Sequence, residues 1–163
     1  MKTGGIAEYG LLGSLAMVLS YVESQMPVFF AVPGMKLGLT NLVVLLALYR
    51  RGERAAFAVN IVRIVLTAFT FGSLSAMLYS LAGGIVSFLV MVLCRRSGKF
   101  SMTGVSIAGG VSHNIGQTAV AVFVLETAQL AYYLPFLMIA GTAAGFAVGL
   151  TGSLVAKRLP AGS

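Results

Sequence analysis

His113, Asn114 and Gln117 sit close together in Ser112-His113-Asn114-Ile115-Gly116-Gln117, inside an otherwise apolar run. On a helix His113 and Gln117 fall on one face at four-residue spacing, and Asn114 adjoins Gln117 at three. One imidazole and two amides in mid-helix offer donors and acceptors that can orient a polar ligand. The same groups can equally tie helices together by hydrogen bonds. Arg63 is the second chemical focus. It lies eight residues past Ala55, about 12 Å along a helix at about 1.5 Å per residue. Glu23 closes the first apolar run, and a Glu23–Arg63 pair is expected if their runs are neighbours. A structural ion pair, or an Arg reaching back to the cytoplasmic surface, fits the same two residues. Asn41 and Asn60 are weaker features of the same type. Lys36 stands where it could meet an anionic substrate or anchor an interface. The expected binding set is Glu23, Lys36, Asn41, Arg63, His113, Asn114 and Gln117. In it Arg63 and Lys36 neutralise an acidic group while the amides and His113 orient the ligand.

The residue counts exclude other chemistry. The chain of 163 residues has no Asp, four Glu, one His and one Cys. Enzymes that hold Mg²⁺ against a diphosphate use clustered carboxylates, and no such cluster can be assembled. A zinc site is short of ligands. Cys94 has no partner for an internal disulfide. The nucleotide-binding, serine-hydrolase and zinc-protease motifs are missing. No catalytic residue, metal or cofactor is expected.

The elements that must position these groups follow from composition. Hydrophobic residues make up 58%, charged residues 9%, and mean hydropathy is +0.97. Soluble domains carry about 25% charged residues, so a bilayer is the expected solvent. Six apolar runs appear, at about 10–26, 37–49, 55–71, 74–94, 102–125 and 132–156. The fold class expected is all-α, one integral membrane domain of six transmembrane helices over residues 1–163. The second run is short, and the Pro- and Gly-containing stretch 27–36 before it must supply the remaining depth. Lys2 resembles the start of a secretory signal, but Glu23 and Gln25 fall where cleavage should occur, so an uncleaved first helix is expected.

Net charge is +7. The basic residues are spread between apolar runs, so topology explains them better than nucleic acid does. Lys2 and the segments 50–54, 95–99 and 157–158 hold nine of the eleven Lys and Arg. With six spans all nine share one side, so both termini are expected in the cytoplasm. Gly141, Gly145 and Gly149 repeat at four-residue spacing and suit close helix packing. Gly10/Ser14 and Ala16/Ser20 repeat the spacing in the first run, where docking onto another membrane protein is the sharper reading. Tyr132 and Tyr133 suit an interfacial belt, and Glu126 a solvated loop.

The stretch Val32-Pro33-Gly34-Met35-Lys36-Leu37-Gly38-Leu39-Thr40-Asn41-Leu42, running on to Ala47, resembles the loop-1/helix-2 signature of the substrate-binding S components of energy-coupling factor (ECF) transporters. With Leu19–Glu23, Phe71-Gly72-Ser73, Tyr79–Gly84 and Ser112–Gln117, it more closely resembles a small bacterial membrane family. That family is labelled both "Gx transporter" and "heptaprenyl diphosphate synthase component I". The likeness extends from about residue 10 to 155. The S-component resemblance implies six helices, a substrate pocket near the outer face and loop 1 as its lid. It also implies a membrane coupling subunit with two cytoplasmic ATPases, and docking through small residues on helix 1. This chain has Gly10/Ser14 and Ala16/Ser20 there instead of a clean Ala-x-x-x-Ala. The synthase label implies a non-catalytic accessory subunit of an enzyme making long isoprenoid diphosphates. The leading expectation is a substrate-binding subunit for uptake of a vitamin-like, polar or amphipathic molecule through the bacterial cytoplasmic membrane. The alternatives are the synthase accessory subunit and a membrane scaffold of a redox complex.

Overall fold

The computed structural model describes residues 3–25 and 38–158, with side chains in the first helix from Gly10 onward. These residues form six α-helices: α1 (Thr3–Gln25), α2 (Leu39–Arg50), α3 (Glu53–Phe71), α4 (Leu74–Ser97), α5 (Met102–Leu125) and α6 (Leu134–Arg158). A 3₁₀ helix, Ala128–Tyr133, precedes α6. The expected runs are recovered, with the helices reaching beyond several of them. α4 continues through Arg95 and Arg96, whose charges oppose the negative end of its dipole. It stops at Gly98, which takes the left-handed conformation (φ 67°) that closes a helix. Ser73 and Ser101 cap α4 and α5, their hydroxyls accepting the amide N–H of Ala76 and Gly104 at 3.1 Å each.

Three helical stretches are long and apolar enough to cross a membrane by length and composition: Glu53–Phe71, Leu74–Ser97 and Ala128–Arg158. The described part of α1, and α5 with its polar cluster, fall below that mark. α2 is a shorter apolar helix of 12 residues. At about 18 Å it cannot cross a hydrocarbon layer of about 30 Å. Its residues Val43 to Leu48 are buried on every side, so α2 is the inner strut of the bundle.

The main apolar core joins Val44, Leu45 and Leu48 of α2 to Phe88, Met91 and Val92 of α4, Val105 of α5 and Val148 of α6. A smaller cluster of Ala16, Val43 and Val59 ties α1 to α2 and α3. The outer surface is apolar too, with Leu11, Phe69, Leu93, Phe123 and Ile139 well exposed. That is the surface of a protein whose solvent is not water alone.

The α6 glycines lie directly on the α5 backbone. A methyl group at Gly145 would stand 2.7 Å from the Ile107 Cα, and one at Gly149 2.6 Å from the Thr103 Cα. The expected internal packing role of this stripe is therefore correct. On α1 the two small pairs part company: Ala16 and Ser20 are buried in the bundle, while Gly10 and Ser14 remain exposed.

The bundle has two chemically distinct ends. At one, Arg96 donates through Nε and Nη2 to the two Glu53 carboxylate oxygens, at 2.8 and 2.5 Å, and Arg95 lies over the Tyr49 ring. Gly152 of α6 packs at the same end, against Met102 and Leu45. The basic segments 50–54, 95–99 and 157–158 thus gather at this end. At the other, Tyr21 meets Phe71 edge to face, 5.6 Å between centroids. Glu126 is exposed there, closing α5 in the left-handed region (φ 49°). Tyr132 and Tyr133 are exposed on the 3₁₀ helix.

Candidate functional site

The short α2 creates the first requirement of the site. Its N-terminus begins within the bundle, where unpaired amide N–H groups are costly. Glu23 of α1 answers that need. One carboxylate oxygen accepts the Gly38 amide at 2.5 Å, and the other accepts the Thr40 hydroxyl at 3.1 Å. Ser20, one turn back on α1, shares a hydrogen bond of 3.1 Å with the same hydroxyl. A negative group at a helix N-terminus is also favoured by the helix dipole. Gly38 itself is left-handed (φ 72°), which turns the chain into α2.

Arg63 is held differently from expectation. It forms no direct ion pair with Glu23 among the described contacts. Its Nε and Nη2 donate to Asn60 Oδ1 at 3.2 and 3.0 Å, and Nη2 also donates to Asn41 Oδ1 at 3.1 Å. Asn60 is fixed in turn, donating through Nδ2 to the Gly84 carbonyl at 3.1 Å. This reach depends on Gly84 having no side chain: a methyl group there would stand 2.8 Å from Ile64 Cδ1 and 3.2 Å from Asn60 Nδ2. The guanidinium is therefore neither paired with a carboxylate nor drawn to the basic end. Two neutral amides clamp it in mid-bundle.

These groups wall a cavity with two arms. The deeper arm, about 50 Å³, is lined by polar Glu23, Asn41, Arg63, Ser87, His113 and Asn114. Met91 and Val148 close it toward the basic end, and both belong to the apolar core. The second arm, about 160 Å³, lies between α1, α3 and α4 and shares Glu23, Thr40, Arg63 and Ser80 with the first. Its wall is largely apolar, with Ile64, Ala68, Phe71 and Met77.

Of the seven expected binding residues, Glu23, Asn41, Arg63, His113 and Asn114 line the cavity. Gln117 is half-buried on α5 but is not among the lining residues, so its grouping with His113 corrects to a position beyond the cavity wall. The α5 wall is the stripe Ser106, Gly109, Gly110, His113 and Asn114, and Gln117 continues that stripe past it. Lys36, and the 27–36 stretch expected to act as a lid, lie outside the described residues. Asn114 also ties helices: its Nδ2 donates to the Leu137 carbonyl of α6 at 2.6 Å. The His113 ring packs on Gly83, where a methyl group would come within 3.0 Å of Nε2.

Sequence reasoning undervalued Asn60 and missed Thr40 and the serines. Asn60 stands three residues before Arg63, a spacing that places the two side by side on a helix. Ser87, 2% exposed, has no hydrogen-bond partner among the described residues.

A single buried arginine with a carboxylate on the same wall is poorly matched to a diphosphate, which carries several negative charges. Among the described residues no group of three or more His, Cys, Asp or Glu could hold a metal ion. Among the described residues, fold and site define an all-helical protein with three helical stretches apolar enough to cross a membrane, a small polar cavity, and no carboxylate cluster of the kind that holds metal for prenyl transfer.

The family model described as heptaprenyl diphosphate synthase component I matches residues 12–155, and the chain belongs to that family. It is at most a non-catalytic subunit of such a synthase, and the family implies a partner synthase component. No curated protein and no solved structure matches the chain.

Proposed function

We propose that the chain is the membrane-embedded accessory subunit of a heptaprenyl diphosphate synthase whose catalytic groups reside in another polypeptide. The observation that carries this reading is the family match across residues 12–155 in a chain with no Asp. The accessory subunit spans the bacterial cytoplasmic membrane six times, with both termini and the basic end in the cytoplasm. That placement rests on the sequence positions of nine of the eleven basic residues, which six spans would put on one side. Its lipid-facing helices hold a soluble partner where a long apolar product must leave water. Co-expression with the soluble synthase component tests this directly. Heptaprenyl product in membranes should rise above the level given by that component alone, and equal levels with and without the chain would refute the role.

A second reading is favoured by the polar cavity itself: an S-component-like subunit that binds a small molecule and works with a membrane coupling subunit and ATPases. Glu23, Asn41, Arg63, His113 and Asn114 are its proposed binding residues. The arms of about 50 and 160 Å³ fall below the roughly 300–1,000 Å³ of drug-sized ligand pockets. They favour a ligand smaller than a flavin. On this reading Arg63→Ala abolishes uptake while the bundle still folds.

A further inference from the structure

Arg63 has five N–H donors, and Asn60 and Asn41 accept from Nε and Nη2 alone. The two donors on Nη1 meet no acceptor among the described residues. Its acceptors are neutral, so no direct contact cancels its charge. Glu23 uses both oxygens toward α2, one bond to each, and each carboxylate oxygen keeps a further lone pair. The two residues line both arms of the cavity without touching one another. A cation and an anion, neither in direct contact with an opposite charge among the described residues, thus line one small space. A simple anion would be attracted by Arg63 and repelled by Glu23, and a simple cation the reverse. A molecule carrying both charges a short distance apart satisfies each.

Size narrows the choice. The wider arm measures about 160 Å³, and a cavity of about 150 Å³ accepts benzene, with about six heavy atoms. Alanine has the same number. Ile64, Ala68, Phe71 and Met77 offer an apolar wall for a short side chain. In the deeper arm the Ser87 hydroxyl, 2% exposed and without a hydrogen-bond partner among the described residues, remains to bind an entering polar atom. Ser112 on α5 is different: its hydroxyl already donates to the Ala108 and Gly109 carbonyls.

We propose that this cavity is a binding site for a small zwitterion, an α-amino acid with a short side chain, its carboxylate on Arg63 and its ammonium on Glu23. The inference rests on the cavity alone and not on the synthase partner, so the chain purified in detergent suffices to test it. The probe is radiolabelled L-alanine in a scintillation-proximity assay, with L-serine, propionate and ethylamine as competitors. Alanine should bind saturably and serine should compete. Propionate and ethylamine should compete at least about tenfold more weakly, the loss of one charge-assisted hydrogen bond. Arg63→Gln and Glu23→Gln should each lower alanine affinity by about tenfold or more. Met77→Trp, which fills the wall without touching either charge, should do the same at an unchanged melting temperature. The proposal is overturned if folded wild-type protein binds no α-amino acid saturably. It is also overturned if propionate competes as well as alanine, or if Glu23→Gln leaves alanine affinity unchanged. Should either charge variant fail to fold, the competitor series and Met77→Trp decide.

Discussion

Replacing Glu23 with alanine tests the link between the site and the fold. The substitution removes the 2.5 Å bond to the Gly38 amide and the 3.1 Å bond to the Thr40 hydroxyl. Hydrogen bonds to a charged group each contribute about 1.5–3 kcal/mol. A charge at a partly buried helix terminus contributes up to about 2 kcal/mol. One carboxylate supplies all of these, so they do not add in full, and Ser20 still holds the Thr40 hydroxyl. The expected loss is about 2–4 kcal/mol. Glu23→Gln keeps the shape and one acceptor oxygen and should lose about half as much. Equilibrium denaturation of the detergent-solubilised protein, followed by circular dichroism, gives the difference. Hydrogen exchange should also quicken at the Gly38 amide and at Asn41, whose amide bonds the Gly38 carbonyl at 2.9 Å. If Glu23→Ala changes stability by less than about 0.5 kcal/mol, as ordinary surface substitutions do, the capping role is wrong.

Gly145→Ala should destabilise by about 1–3 kcal/mol, since its methyl group meets the α5 backbone at Ser106 and Ile107. Gly13→Ala, with nothing within 4 Å, should be neutral or stabilising by up to about 1 kcal/mol in the same melts. At the basic end the Arg96 side chain holds the Glu53 carboxyl below its ordinary range. The stability from that lowered pKa is present above the ordinary carboxylate range and is lost as pH falls through the lowered value. Melting curves between about pH 3 and 6 should therefore show an acid-side decline that is shallower in Arg96→Ala; identical slopes would exclude the pair as its source. With Cys94 replaced by serine, cysteines placed at Gly52 and Lys99 should react with an impermeant reagent from one side of the membrane, and one at Glu126 from the other. Labelling of all three from one side would refute the six-span arrangement.

Helix number and order were legible because strong punctuation separates the apolar runs: Arg50 to Arg54, Gly72-Ser73, and Arg95 to Lys99. Helix ends were less legible because the apolar run tracks the preferred solvent, whereas the helix continues until capping stops it. Arg95, Arg96, Lys157 and Arg158 are all helical. Five of the seven residues expected to bind line the cavity, and the cost of placing polar groups among apolar ones is what pointed to them. Their partners were not legible in that way. Opposite charges suggested that Arg63 would seek Glu23, yet both already had neutral or backbone partners nearer at hand. The need for Glu23 arises from the short α2, whose buried N-terminus is visible only once the helices are assembled. Gln117 looked equivalent to His113 by spacing, but periodicity gives a face and not the depth at which a cavity ends.

The packing also bears on which of the two roles the bundle suits. α5 packs against α4 and against α6 far more extensively than α1, α2 and α3 pack with each other or with α4, α5 and α6. The glycine contacts of α6 with α5 lock that half as a unit. The polar cavity spans the seam between the halves and ends on Met91 and Val148, whose core neighbours include Leu45, Leu48 and Val105. A ligand entering from the Glu23 end therefore meets an apolar floor. Passage to the basic end would require the α4–α6 unit to separate from α2 and α3 across that floor. An accessory subunit needs no such movement. A cysteine cross-link joining α3 to α4 should therefore leave stimulation of a partner synthase intact and abolish uptake of a small ligand. Stimulation lost with the cross-link and restored by reduction would show instead that relative motion of the two halves serves the synthase role.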